Sequence, residues 1–328
     1  MAKKRGKNKI LIGFLVVFVI ILGGIGAAAI YGYSFFDKIN TVDIDSDDLG
    51  IDPETDKKLS SYSNIENIAL FGVDAEQGDV GRSDSIMILT LDKNNNKVKL
   101  TSIMRDSYVN IIGRSKDKLN HAYAYGGAQL AMQTLNNNFD LNIKDFASVN
   151  FSGLQKIIDI LGGVEVTITQ DEIPYLADYV NSINSFTNEK AETIKTPGTY
   201  NLNGTQALAY TRIRYTEGND YKRTERQRTV LTQVFEKIKQ TSVTEWPSLL
   251  NEILPLVETS MDTSKILGLG NSIIKMGNIQ VEQERFPLDE ECEGTTIGGV
   301  YYLQFDEEAT VASLHDYIFE DTKTWKEK

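Results

Sequence analysis

Three segments between residues 64 and 104 decide the fold: NIENIALFGV (64–73), SIMILTL (85–91) and KVKLTSIM (97–104). Each is a short run rich in apolar and β-branched residues, which is typical of a strand. The polar turn over 93–96 joins the second segment to the third and predicts a β-hairpin.

Helical patterns follow these strands, with further strands between them. We predict helices over 122–138, 153–161, 204–209, 222–240, 246–258 and 262–276, and strands over 163–169, 210–215 and 281–286. Because helices and strands interleave without a repeat, we expect a single three-layer α-β-α domain with a mixed central sheet. It should occupy 63–328, with a core over 65–240 and a C-terminal completion over 241–328.

The N-terminal segment predicts a membrane anchor. Residues 1–9 carry Lys and Arg but no acid, and residues 10–33 are uncharged and apolar. As a helix this stretch would measure about 36 Å, which exceeds a hydrocarbon core of about 30 Å. We expect a single-pass signal anchor over 10–33, a cytoplasmic tail over 1–9 and an extracellular domain after a polar tether over 34–62. A cleaved signal peptide is the alternative.

The composition excludes several classes of function. The chain has 46 Asp and Glu against 34 Lys and Arg, a formal net charge of -12, which argues against nucleic acid as a partner. Cys292 is the only cysteine, so an intramolecular disulfide is impossible. Two histidines are too few for a typical histidine-based zinc site.

Against this acidic background, five arginines lie in YTRIRYTEGNDYKRTERQR (210–228). Arginine's planar, permanently charged fork can hold two anionic oxygens at once, so the concentration indicates a phosphate or carboxylate ligand. A strand and the start of the next helix would each present one cationic face, formed by Arg212 and Arg214 on the strand and by Arg223, Arg226 and Gln227 on the helix. A solvated helix face paired with nearby acids is the alternative.

Carboxylates also flank the loop between the first two strands. Asp74 directly follows the first strand, and Asp84 immediately precedes the second. Such a pair can converge on Mg²⁺, which takes one or two protein carboxylates together with phosphate oxygens. Loop capping by Asp is the alternative. Arg105 ends the third strand, where it could reach the same ligand.

Several motifs occur in a specific order over about 65–240: GVDAEQGDVGRSDSIMILTL, SIMRDSYVNI, DKLNHAYAYGG, LGGVEV and LNGTQALAYTRIRYTEGNDYKRTERQR. In this the chain resembles the LytR–CpsA–Psr family. The resemblance implies an extracytoplasmic phosphotransferase of Gram-positive bacteria. It would move a glycopolymer, such as wall teichoic acid or capsule, from an undecaprenyl-pyrophosphate carrier to a peptidoglycan hydroxyl through a phosphodiester bond.

The resemblance also implies roles for individual residues. Asp74 and Asp84 would hold Mg²⁺, for which Mn²⁺ could substitute, and Arg105, Asp84 and Asp220 would be catalytic, with Asp220 supporting the arginines or acting as a base. The pyrophosphate would be contacted by Arg82, Arg105, Arg212, Arg214 and Gln227, with Arg223 and Arg226 in the same charged shell. Two other functions stay open: hydrolysis of the polyprenyl pyrophosphate, and a non-catalytic, membrane-anchored lipid-binding regulator.

Overall fold

The computed structural model describes residues 38–75, 81–187, 190–214, 219–242, 245–277 and 279–325. Contacts divide the chain into two compact units, and the predicted single domain over 63–328 stays a prediction. The sheet unit is formed by 36–151 and 255–328, and the helical unit by 152–254, which lies between those two parts in sequence. Each unit is described below by itself.

The sheet unit is built on a seven-stranded mixed sheet in the order β1-β10-β7-β2-β3-β4-β11. Its strands are β1 (Asn40–Thr41), β2 (Ile65–Asp74), β3 (Arg82–Asp92), β4 (Lys97–Ile103), β7 (Asp145–Asn150), β10 (Glu258–Thr259) and β11 (Gln280–Phe286). The hairpin predicted from 85–104 is confirmed, since β3 pairs antiparallel with β4. β2 pairs in parallel with β7, and β4 with β11, so the predicted mixed sheet is confirmed too.

The remaining elements of the sheet unit are short strands and helices. They are β5 (Tyr108–Val109), β6 (Asp117–Lys118), β12 (Cys292–Ile297), β13 (Val300–Phe305), and the helices α1 (Pro53–Leu59), α2 (Leu119–Phe139), α8 (Thr263–Met276) and α9 (Glu307–Ile318). The sequence predicted α2 from residue 122, but the helix starts three residues earlier and kinks at Gly126 and Gly127. The β12–β13 hairpin was missed, although Gly298 and Gly299, both with positive φ, are a strong signal for a two-residue turn.

A β-bulge interrupts the pairing of β2 with β3. Gly72 pairs with Ser85 and Val73 with Ser83, so Asp84 has no partner in the ladder. Bulges locally re-aim side chains and are frequent beside functional sites. The bulge thus singles out one of the two carboxylates that the sequence had selected.

The sequence predicted a polar tether over 34–62. The residues of this range that the structure describes, 38–62, form part of the sheet unit instead. β1 pairs with β10, and Asp52 caps α1 by accepting hydrogen bonds from the first turn. Leu49 and Leu59 are each 3 % exposed and belong to the main core. Burial of these two leucines helps to hold an otherwise polar segment in the sheet unit. The same core contains the inner face of β2 and β3 and the buried side of α2.

The helical unit contains a two-stranded sheet and five helices among its described residues. These are α3 (Phe151–Ile160), β8 (Val164–Ile168), α4 (Ile173–Thr187), β9 (Gly198–Leu202), α5 (Gly204–Arg212), α6 (Asn219–Gln240) and α7 (Trp246–Ile253). The strand predicted over 210–215 is wrong, because 210–212 lie in α5 and 213–214 lie in no strand, while 215 is outside the described residues. A capping box of Asn203 and Gln206 starts α5, which continues through Arg212 because Ala, Leu and Gln favour a helix there.

Among the residues that the structure describes, none of the helices combines the length and the apolar character that crossing a bilayer requires. The anchor predicted over 10–33 lies outside the described residues.

Candidate functional site

The end of the sheet where β3 begins and β4 ends carries a close ion pair. Arg105, two residues beyond β4, donates from Nη1 to Oδ1 of Asp84 at 2.6 Å. The two side chains are only 13 % and 10 % exposed, so water screens their attraction weakly. Sequence reasoning selected both residues, and the structure brings them into direct contact.

A second carboxylate lies next to Arg105 and pairs with a lysine. The Arg105 Nε atom is 3.6 Å from Oδ2 of Asp106, and Oδ1 of Asp106 accepts a hydrogen bond from Lys118 Nζ at 2.7 Å. Asp106 is 6 % exposed. Two carboxylates therefore hold the Arg105 guanidinium, which fixes its position before any ligand arrives. Lys118 was missed as a site residue, although it lies inside the quoted DKLNHAYAYGG motif.

Asp74 and Arg82 face each other at the end of the same hairpin. They are partners in the β2–β3 ladder, one position beyond the bulge, and both are exposed. The loop over 76–80 that joins the two strands lies outside the described residues. The backbone thus places Asp74 and Arg82, the two predicted ligands that flank this loop, close to Asp84. All three lie at the end of the sheet where β2 ends and β3 begins.

The donor set at this edge fits a hard divalent cation. Asn120, in the first turn of α2, lies with Nδ2 3.5 Å from Oδ1 of Asp84 and is 2 % exposed. Its Oδ1 has no hydrogen-bond partner among the described residues, and a buried oxygen in that state favours a cation. No cluster of three or more His, Cys, Asp or Glu suited to a metal occurs in the described part of the chain. Mg²⁺ needs only one or two carboxylates.

The arginines of 210–228 that the structure describes lie in the helical unit, not on a strand. Arg212 ends α5, with its guanidinium carbon 5.9 Å from the centre of the Tyr179 ring. Arg214 follows α5 and is half-buried. The predicted alternation of Arg212 and Arg214 on one strand face is therefore wrong, because Arg212 lies in a helix and Arg214 lies beyond its C-cap, Ile213.

Three of the predicted α6 residues are buried: Arg223 at 2 % exposure, Arg226 at 5 % and Gln227 at 7 %. The alternative of a solvated helix face does not apply to them. Buried arginines need anionic or carbonyl partners, since an uncompensated buried charge is costly.

Arg226 has such partners inside the protein. Its Nε donates to Oε1 of Glu172 at 2.7 Å, and its Nη1 donates to the carbonyl oxygen of Ile213 at 3.2 Å. Its guanidinium carbon is 5.9 Å from the centre of the Tyr210 ring. Burial, followed by the negative charge of Glu172, raises the pKa of Tyr210 above its ordinary value. These contacts give Arg226 a positioning role, which the sequence did not foresee.

Asp220 lies in the first turn of α6, and its side chain is outside the described part of the structure, so its catalytic role stays a prediction. The predicted ligands fall into two groups: Asp74, Arg82, Asp84 and Arg105 in the sheet unit, and the α5 and α6 residues in the helical unit. Their convergence on a single anion stays a prediction as well.

Comparison with known proteins agrees with the architecture. The LytR_cpsA_psr family model matches residues 33–316. A polyisoprenyl-teichoic acid–peptidoglycan teichoic acid transferase TagU of Bacillus licheniformis is 31 % identical over 330 residues, covering 97 % of this chain and 96 % of that protein. Protein gbs0355 from Streptococcus agalactiae is 26 % identical, with a TM-score of 0.65 over 82 % of this chain and 92 % of its own.

A structure of TagT bound to LIIa-WTA is also 26 % identical, with a TM-score of 0.61 over 79 % of this chain and 91 % of TagT. Three findings define one class of protein. They are the α/β fold with a mixed sheet, the acid and arginine residues at the edge of that sheet, and the family match over most of the length. The chain belongs to the LytR–CpsA–Psr family.

Proposed function

We propose that this protein is an extracytoplasmic phosphotransferase. It transfers a glycopolymer from an undecaprenyl-pyrophosphate carrier to a peptidoglycan hydroxyl and leaves a phosphodiester bond. The observation that carries the proposal is the Asp84–Arg105 pair at the bulged end of the sheet. The naming of relatives as TagU transferases and the TagT structure bound to LIIa-WTA support this substrate class.

The pair suits pyrophosphate chemistry. Phosphoryl transfer needs positioning and neutralisation of charge more than a reactive nucleophilic side chain. Arg105, already held by Asp84 and Asp106, would bind pyrophosphate oxygens, as would Arg82 at the start of β3. Asp74 and Asp84 would hold Mg²⁺, which when bound neutralises negative charge on the phosphates. In the transfer, the acceptor hydroxyl oxygen bonds to the polymer's phosphorus, the bond to the bridging oxygen breaks, and polyprenyl phosphate leaves.

The helical unit would supply the remaining positive charge. Arg212, Arg214, Arg223 and Gln227 are assigned to the pyrophosphate on the family resemblance, and the burial of Arg223 and Gln227 is consistent with an enclosed anion site. Arg226 belongs to the same charged shell but acts by anchoring α6 through Glu172. Asp220 is the candidate for supporting these arginines or for accepting the acceptor's proton.

We place the reaction outside the cell membrane. The basic tail over 1–9 and the apolar stretch over 10–33 support a single-pass anchor with its N-terminus in the cytoplasm. External protease applied to intact cells should digest the domain and spare the tail. Protection of the domain would contradict this placement.

The transfer is tested by incubating the full chain, in detergent, with Mg²⁺, a lipid-pyrophosphate-linked sugar and peptidoglycan oligomers. Mass spectrometry should find a phosphodiester-linked adduct, and Asp84→Asn should lose it. Asp56→Asn is the matched control, since Asp56 pairs with Lys144 just before β7, at the opposite end of the sheet from the Asp84–Arg105 pair. Free phosphorylated sugar without adduct would identify a hydrolase. Lipid binding without turnover in any condition would identify a non-catalytic binder.

A further inference from the structure

Four tyrosines lie near one another where α2 begins, and two of them contact a carboxylate. We name this surface the tyrosine shelf: Tyr108 of β5, Tyr125 of α2, and Tyr301 and Tyr302 of β13, with Asp117 of β6. Tyr108 and Tyr302 pack with ring centres 4.8 Å apart. All of these residues belong to the sheet unit.

Asp117 holds the shelf in place. Its carboxylate accepts hydrogen bonds from the Tyr125 hydroxyl at 2.8 Å and the Tyr302 hydroxyl at 3.4 Å, and His121 Nδ1 lies at 2.8 Å. Burial alone would raise the pKa of Asp117, but the hydrogen bonds from His121 and Tyr125 lower it below its ordinary value. The carboxylate therefore stays ionised, and the Tyr125 and Tyr302 rings are held in place before a ligand binds. Preorganised rings lose little entropy on binding.

Two shelf rings are exposed to an unusual degree for fixed aromatic side chains. Tyr125 is 41 % exposed and Tyr301 is 50 % exposed. The guanidinium carbon of Arg114 lies 4.0 Å from the centre of the Tyr125 ring. An exposed apolar face bordered by hydrogen-bonding groups is a recognition surface. Pyranose rings suit such a surface, because their C–H faces stack on aromatic rings while their hydroxyls bond to carboxylate and guanidinium.

The shelf is continuous with the Asp84–Arg105 site. Lys118 Nζ lies 5.8 Å from the ring centres of both Tyr301 and Tyr302, within reach of a cation–π contact. The same nitrogen pairs with Asp106, which in turn lies beside Arg105. A sugar on the shelf would thus be two side chains away from the pair that is assigned to the pyrophosphate.

The charge around the shelf distinguishes between the two glycans of the reaction. Lys118 is paired with Asp106, and Lys116 Nζ is 2.9 Å from Oε1 of Glu307. A row of glutamates, Glu290, Glu291 and Glu293, precedes and enters the same hairpin. This balance disfavours a polyanionic teichoic acid or an anionic lipid surface and favours a glycan strand of N-acetylated amino sugars.

We infer that the tyrosine shelf binds the acceptor glycan and directs its hydroxyl toward the Asp84–Arg105 site. The inference rests on the proposed function, because only a transferase needs an acceptor. It assigns the stacking of sugar rings to Tyr125 and Tyr301, and the alignment of the Tyr125 ring to Asp117.

The test is a binding titration of the full chain, in detergent, with a tetrasaccharide of alternating N-acetylglucosamine and N-acetylmuramic acid. Tyr301→Ala should weaken binding at least tenfold, whereas Tyr301→Phe, which keeps the ring, should bind as the wild type does. Phe186→Ala is the matched control, since Phe186 is 81 % exposed and belongs to the helical unit. In turnover, Tyr301→Ala should raise the KM for the acceptor and leave binding of a short polyprenyl pyrophosphate unchanged.

Unchanged tetrasaccharide affinity in both Tyr301→Ala and Tyr125→Ala would overturn the inference. So would a loss confined to binding of phosphatidylglycerol vesicles, since this would make the shelf a membrane contact. Failure of the proposed function is separate, because it would show as absent lipid-pyrophosphate binding or absent adduct in the wild-type chain while tetrasaccharide binding persists.

Discussion

Arg105 is held by acids on two sides, and this arrangement decides how it can act. Asp84 binds Nη1, and Asp106 lies beside Nε, so the guanidinium has a fixed orientation. An incoming pyrophosphate would compete with Asp84 for the guanidinium, and a bound cation would take up the released carboxylate. The ion pair thus keeps two ligand-binding groups in place until their ligands replace it.

At this residue we predict that Arg105→Lys weakens binding of a short polyprenyl pyrophosphate roughly ten- to a hundredfold, because lysine keeps the charge but loses the planar fork. Calorimetric titration of the full chain measures the change. Arg114→Ala is the control, because Arg114 lies on the tyrosine shelf and should leave lipid affinity intact. Equal affinity of wild type and Arg105→Lys would remove Arg105 from the site.

Arg226 and Glu172 form the second critical pair, with side chains 6 % and 7 % exposed. We predict that Glu172→Gln lowers the free energy of unfolding by about 3 kcal/mol, since it removes the negative charge from a buried ion pair whose guanidinium stays charged. Denaturant unfolding checks this value. The double variant Glu172→Gln, Arg226→Met should be more stable than Glu172→Gln alone, because it also removes the buried positive charge. A double variant as unstable as the sum of the two single changes would show that the residues do not interact.

At the scale of elements, the kink in α2 separates its first turns, which carry Asn120, His121 and Tyr125, from the rest of the helix. Gly127 at the kink has φ 61° and ψ -155°, a conformation that favours glycine. The kink therefore lets one helix bring Asn120 to Asp84 and Tyr125 to Asp117 while its later turns pack in the core.

We predict that Gly127→Ala lowers the free energy of unfolding by about 1–3 kcal/mol through backbone strain alone. No atom lies within 4 Å of the added Cβ, so a clash does not contribute. Gly268→Ala in α8 is the matched control, because that glycine has open space and no positive φ. The control should gain about 0.5–1 kcal/mol, the ordinary helix preference for alanine. A neutral Gly127→Ala would show that the kink relaxes without cost.

Elements whose apolar pattern was regular could be predicted from the sequence. The β3–β4 hairpin was found because two short apolar runs flank a polar turn, and the helix that became α6 was found because its apolar residues repeat at about 3.6 residues. Arg212 was misplaced because short stretches such as TRIR alternate like a strand, while the capping box that starts α5 begins at Asn203, well upstream of Arg212. The bulge at Asp84 and the Glu172–Arg226 pair depend on contacts between distant segments, which no local pattern contains.

At the scale of the whole molecule, the proposed transfer should depend on a divalent cation. We predict that chelation of divalent ions abolishes transfer and that added Mg²⁺ or Mn²⁺ restores it, because negative charge on the phosphates needs a cation. Mass spectrometry of the phosphodiester-linked adduct measures both the loss and the recovery of transfer. Asp84→Asn should not be restored by either ion. Full transfer in excess chelator would exclude the metal.

The order of strands also determines when the sheet can be completed during synthesis. The outer edge of β4 is covered only by β11, whose Gln280 pairs with Lys97. Until the chain has been made past residue 286, that edge offers unpaired backbone groups to other chains. At ordinary rates of synthesis the delay is roughly ten to forty seconds. The helical unit is continuous in sequence, so its folding does not depend on a distant segment, and we expect it to fold first. Until β11 is available, we expect chaperones to protect the edge of β4.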